Sequence, residues 1–185
     1  MQKTYFYRGL FYLMGLLILA LGITLNTKTG LGVSPIISVS FSISTIWHFN
    51  FGNTTLVLYA LFVVVEMILH TIRSLHARQS EGLPLEHANQ MNLKLVLFMD
   101  ILQFPLSLIF TRFLNIFSGI IPDLWTTYPD SFAGSFPGRI LFLIIAIILT
   151  GVGAAMSLNM RIIPNPGDGI VQAISDFIHK SVGFT

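Results

Sequence analysis

Apolar residues in this chain fall in long blocks rather than in short alternating patches. Blocks cover 6–25, 56–72, 93–117 and 139–158. At 1.5 Å per residue, a helix of about 20 residues matches the ~30 Å hydrocarbon core of a bilayer. A membrane barrel would instead show alternating segments of about 10 residues. Two further apolar blocks, 36–47 and 170–181, are 12 residues each, about 18 Å as helix and short of a full crossing. The predicted fold class is all-α: a polytopic transmembrane helical bundle with about four full spans plus two short or re-entrant helices.

The polar residues between the blocks mark where helices start, bend and stop. Thr54 and Thr55 are placed to cap the 56–72 span, and 73–92 reads as a polar connector. Asp100, Gln103 and Pro105 interrupt the 93–117 block, where the proline removes a backbone donor and bends the helix. Residues 118–138, with Trp125 and Tyr128, have the make-up of an interfacial loop. Gly151-Val-Gly-Ala-Ala155 offers a small-residue patch for close helix approach. The first block follows Lys3 and contains Arg8, as a signal peptide would, but it has no small-x-small cleavage site and exceeds a 7–15 residue apolar region. It is read as a retained first helix.

Composition narrows the functional classes. Of 185 residues, 54% are hydrophobic and 10% charged, against about 25% charged in soluble domains, which excludes an ordinary cytosolic enzyme. The ten Lys and Arg residues are scattered, so no basic stripe for nucleic acid is expected. Absence of cysteine excludes thiolate nucleophiles and disulfides. The five histidines show no HxxxH or HExxH spacing, so neither a metal site nor a cofactor is expected.

An internal repeat is suggested by a shift of 133 positions. It places Asn26 on Asn159, Lys28 on Arg161, Ser34 on Gly167, Ile37 on Ile170, Ser42 on Ser175 and Phe51 on Phe184. Both copies, about 6–72 and 139–185, read long helix, Asn-x-basic, Gly/Pro turn, short helix. The counterpart of the 56–72 span would then begin just after Thr185, so the second copy is expected to be incomplete. With the N-terminus inside and 36–47 re-entrant, seven basic residues fall inside and three outside, in line with the positive-inside rule. That arrangement makes the copies antiparallel, as in many secondary transporters.

At Gly30-Leu-Gly-Val-Ser-Pro35 and Pro164-Asn-Pro-Gly-Asp-Gly169-Ile, each following a long apolar helix, the chain resembles the YczE/YyaS-like family of bacterial membrane proteins, related in pattern to the YitT group. The resemblance covers essentially the whole chain. It implies residence in the bacterial cytoplasmic membrane and a permease-like activity, and supplies no catalytic residues. In size and form the chain also resembles the substrate-capturing S components of energy-coupling-factor vitamin transporters. With no GxxxxGK[ST] loop of its own, ATP-driven uptake would need a coupling subunit and ATPases as partners.

Candidate binding residues gather at the breaks and within spans. Non-helical backbone at membrane depth survives only where protein or a water-filled cavity satisfies it. Ser34 before Pro35, and Asp168 before Gly169, read as helix starts whose N–H groups and positive dipole end could face an anionic group. Asn26, Lys28 and Gly32 precede the first start, and Asn159, Arg161 and Asn165 the second. These residues serve equally as interfacial turns with snorkelling basic side chains. Glu66, 11 residues past Thr55, lies ~16 Å into the bilayer, where a charge costs about 2.5–3.5 kcal/mol. His70 at i+4 and Arg73 at i+7 share its face and read as a stabilising polar stripe. Asp100 and Gln103, at i and i+3, could line a solute cavity.

The leading expectation is a permease-like protein that moves or captures a small solute, with Glu66 or Asp100 available for ion coupling. The alternatives are an S component and a non-transporting scaffold that docks through 73–92. An enzyme is not expected, since no nucleophile and base are paired by the spacing. The cysteine-free sequence gives a direct test of topology. In right-side-out vesicles with the N-terminus inside, an impermeant maleimide should label Asp130→Cys and leave Ser80→Cys unlabelled; a crossing 36–47 helix reverses the pattern.

Overall fold

The computed structural model describes residues 2–79, 93–160 and 163–178, together with 180, 181 and 183. Among these the regular structure is helical throughout. In chain order it comprises α1 (Gln2–Lys28), α2 (Pro35–Ile46), α3 (Phe51–Gln79), α4 (Leu93–Ile120), the single turn α5 (Leu124–Thr127), α6 (Phe136–Asn159) and α7 (Pro166–Phe177). Four stretches are long and apolar enough to cross a membrane: Phe6–Lys28, Phe51–His76, Leu93–Thr127 and Phe136–Asn159. The expected class, four spans with two 12-residue helices, is what the structure has.

Several boundaries differ from the expected ones, because a helix continues for as long as its backbone bonds are made, not for as long as its sequence is apolar. Thr54 and Thr55 are not caps. The cap of α3 is Asn50, whose Oδ1 accepts from the Asn53 N–H at 3.0 Å, while the Thr55 hydroxyl turns back onto Phe51 O at 2.8 Å. At its other end α3 takes in residues 73–79, expected as connector, and 80–92 lie outside the described residues. Within the expected loop 118–138, Ser135 caps α6 by accepting from Gly138 N. The last helix starts at Pro166 rather than Ile170, since proline at the first position is already set for helix and loses no intrahelical bond.

The chain divides into two compact units, 1–57 with 108–162 and 58–107 with 163–185. In the first, α1 and α6 run antiparallel. At one end Arg8 Nη2 donates to Met160 O at 2.7 Å; at the other Arg139 Nη1 donates to Thr29 O at 3.4 Å. Between them the backbones touch through glycine. A Cβ on Gly22 would stand 2.6 Å from Thr150 N, and one on Gly15 2.9 Å from Ser157 N. Gly153 is closed against the backbone of Leu19, whereas Gly151 faces open space. Of the expected small patch, the third residue therefore makes the approach. Leu16, Leu19, Ala20 and Ala146 are buried around it.

The second unit contains 58–79 of α3, 93–107 of α4, and α7. Here α3 is inside-out. Leu61, Val64 and Ile68, at spacings of three and four, are exposed, while Tyr59, Val63 and Glu66 are buried. That distribution suits a helix with lipid on one side and polar protein on the other.

The α1–α6 contact generates a paired prediction. Gly153→Leu should overpack the interface and destabilise the detergent-solubilised protein by about 1–3 kcal/mol, lowering its melting temperature, whereas Gly151→Leu should leave it within the scatter of the wild type.

Candidate functional site

Three helices of the second unit bring ionisable side chains together. On α3, Tyr59, Glu66 and Arg73 recur every seven residues, which is nearly two turns and keeps them on one side. Each meets a partner from α7 or from Asn165 just before it, in the same chain direction. The Tyr59 hydroxyl and the Asn165 side chain share a hydrogen bond, Glu66 lies against Gly169, and Arg73 Nη1 donates to Asp176 Oδ2 at 2.9 Å. From α4, which runs antiparallel to α3, Gln103 Nε2 donates to Glu66 Oε2 at 2.7 Å. One turn earlier, Asp100 Oδ2 receives the His70 Nδ1–H at 2.9 Å.

Glu66 sits at the centre of this group. It is the sixteenth residue of the 26-residue Phe51–His76 span, within about 4 Å of its midpoint at 1.5 Å per residue, and it is 1% exposed. A Cβ on Gly169 would stand 2.7 Å from Glu66 Oε1 and 2.8 Å from Oε2, so a side chain at that position would have to displace the carboxyl group. Oε1 of Glu66 and Oε1 of Gln103 are both buried with no hydrogen-bond partner. Pro105 lies inside α4, and Ser107 Oγ donates to Gln103 O at 2.7 Å, holding the Gln103 turn.

The start of α7 is built for close approach rather than for capping. Asn165 makes no side-chain cap bond, because its side chain is engaged with Tyr59. Pro166, Gly167 and Gly169 are buried. Asp168 is the third helical residue, not the cap expected from the sequence, and burial pushes its carboxyl up from the ordinary value.

Of the residues expected at a site, Glu66, Asp100, Gln103, Asn165 and Asp168 thus fall in this one unit. Those of the first unit have local duties or stand apart. Lys28 pairs with Asp123 at 3.2 Å at the end of α1, where a cation is favoured by the helix dipole. Asn26 Oδ1 is buried without a hydrogen-bond partner. Gly32 is exposed at φ +148, Ser34 precedes α2 without capping it, and Asn159 is exposed at the end of α6. Arg161 lies outside the described residues. Sequence reasoning passed over Tyr59 and Asp176, read Gly169 as part of a helix start and not as cover for Glu66, and treated His70 and Arg73 as a stabilising stripe. The seven-residue spacing of Tyr59, Glu66 and Arg73 was the signal available.

Among the described residues, no three His, Asp or Glu side chains are grouped to hold a metal ion. The chemistry this arrangement offers is proton exchange and hydrogen bonding. A family model described as a family of unknown function, DUF6198, matches residues 6–80 and 89–185. Comparison with curated proteins and with solved structures gave no match.

The two charge pairs should differ in weight. His70 and Asp100 side chains are 17% and 5% exposed, against 42% and 33% for Arg73 and Asp176. Removing His70 leaves a buried acceptor unpaired, at about 1–3 kcal/mol, whereas an exposed pair contributes up to about 1 kcal/mol. In chemical unfolding from detergent micelles, His70→Ala should lower stability distinctly more than Arg73→Ala.

Proposed function

Since the chain belongs to the DUF6198 family, whose function is unknown, we propose from its own residues that it is a permease-like membrane protein that binds a small solute at the Glu66 cluster and moves or captures it within the bilayer. The observation that carries this reading is the burial of Glu66, Asp100 and Gln103 together on membrane-spanning helices. A charged group at that depth costs about 2.5–3.5 kcal/mol on insertion scales, and such residues mark solute and ion pathways. A fold that needed only stability would use apolar residues there. The bacterial cytoplasmic membrane, as the resemblance to YczE/YyaS-like proteins implies, is part of the proposal.

The solute chemistry follows from the charges. Among the described charged side chains of this unit that are buried or half-buried, Glu66, Asp100, Asp168 and Asp176 stand against His70 and Arg73, while His76, Lys94 and Lys180 are exposed. The first turn of α7, a natural anion site when free, already faces Glu66. These groups favour a cationic or neutral hydrogen-bonding solute over the anion that the helix starts alone suggested.

An inverted repeat is also proposed, in a register of 131 rather than 133. Lys28 and Asn159 end the long helices, Pro35 and Pro166 begin the short ones, and Ile46 and Phe177 end them, each pair 131 positions apart. The antiparallel course of α1 and α6 is what inversion of the two copies requires.

Purified protein in nanodiscs, heated with a panel of amines, amino acids, sugars, vitamins and organic anions, should be stabilised by a subset of them, and Asp100→Asn should weaken that stabilisation by tenfold or more in half-saturating concentration. A flat response across the panel would count against solute binding. Co-purification of a coupling subunit and ATPases from native membranes would instead make the protein a capture component of a larger transporter.

A further inference from the structure

The cluster is unevenly supplied with charge. His70 is spent on Asp100 and Arg73 on Asp176, and among the described residues no basic side chain is within ion-pair distance of Glu66. Its bonded partner is the neutral amide of Gln103. The groups that act on it are His70 from its own helix and Asp100 and Gln103 from α4; Tyr59 and Arg73 stand seven residues away on its own helix, and α7, whose Gly169 lies against it, carries Asp168 and Asp176. Where Glu66 is ionised, one negative charge is left uncompensated at the middle of a span.

The hydrogen bonds are uneven in the same place. Glu66 Oε1 and Gln103 Oε1 are acceptors, both buried, and neither has a donor. Two orphan acceptors on a hydrogen-bonded pair, one of them on the uncompensated carboxylate of Glu66 itself, have a single economical remedy, which is one proton on Glu66. It cancels the charge and turns Oε1 from an unsatisfied acceptor into a donor. A bound sodium ion would cancel the charge too, but would need about six oxygen ligands. Two oxygens are unengaged, and the Cα of Gly169 is packed against the carboxyl.

We propose that Glu66 and Gln103 form the site of one exchangeable proton, carried on Glu66 Oε1, and that solute movement by this protein is coupled to it. The coupling clause rests on the permease reading; the proton site does not. In the step, the carboxylate takes a proton from hydronium and releases water on loading, and returns it to water on unloading, with no change of oxidation state. Because both carboxyl oxygens fill the space where a side chain of residue 169 would stand, the start of α7 is the element that feels whether the proton is present. The ionised form is held by the positive end of that helix, and the neutral form loses that attraction.

The test is infrared difference spectroscopy of the purified full-length protein in nanodiscs, stepped between acid and alkaline buffers containing choline as the sole added cation. A protonated-carboxyl stretching band should appear on the acid side. It should be lost in Glu66→Gln, whose helical circular dichroism reports retained fold, and displaced in Gln103→Leu, which keeps Glu66 but removes its bonded amide. A band untouched by Glu66→Gln, or unmoved by Gln103→Leu, overturns the proposal. So does thermal stabilisation by sodium chloride over choline chloride at fixed pH that Glu66→Gln abolishes, which would assign the site to sodium. None of these readouts depends on transport, so failure of the proton site and failure of the permease reading are told apart by the solute panel.

Discussion

A carboxyl group held near the middle of a membrane span constrains everything packed around it. Glu66 cannot face lipid without a cost of several kcal/mol, so α3 must turn that side toward protein and its aliphatic side outward. Val57, Leu61, Val64 and Ile68 are accordingly exposed. Cover for the carboxyl has to be polar on one side and very small on the other. Gln103 supplies the first and Gly169 the second. The same demand explains why α7 opens with Pro-Gly-Asp-Gly, since a helix beginning with bulky residues could not bring its backbone against the acid.

The first unit is held by a different means. Lipid chains are as apolar as leucine, so burying leucine gives helices little reason to associate within a bilayer, and close backbone approach has to supply the contact. Gly15, Gly22 and Gly153 bring α1 and α6 together over their length, with Arg8 and Arg139 tying carbonyls at the two ends. One unit is thus cemented by small residues and dispersion, the other by hydrogen bonds and charge. The division follows the placement of acidic residues within the spans, where Glu66 and Asp100 belong to the second unit.

Much of this was legible in the sequence, for identifiable reasons. Span number and type follow from the length of apolar blocks, a signal that bilayer thickness fixes. Glu66, Asp100 and Gln103 were conspicuous because polar residues are rare at that depth. Boundaries were less legible. Residues 73–79 are polar yet helical, because backbone bonding does not end where hydropathy does. Asn50 was missed as the cap of α3 because Thr54 and Thr55 stand nearer the apolar block. Pairings were least legible: nothing in the spacing says that Arg73 finds Asp176, more than a hundred residues away. The proposed repeat takes a register of 131 when the prolines at 35 and 166, where the short helices begin, are matched, against 133 when Asn26 and Asn159 are matched by residue type.

In that register the two helix starts are not equal, and the difference bears on which one does chemistry. Pro35, Ile36, Ile37 and Ser38 stand where Pro166, Gly167, Asp168 and Gly169 stand in the second copy. Both starts share a proline at the first position and a preceding residue whose side chain makes no cap bond. The first turn of α2 carries two isoleucines, with Pro35 exposed. The first turn of α7 is small, buried and acidic, and an acid from α3 lies against it. A common backbone device would therefore have been kept as packing in one copy and opened for a buried carboxyl in the other. Side-chain size in one helical turn decides between the two, because a helix start can approach a buried group only as closely as its own Cβ atoms allow.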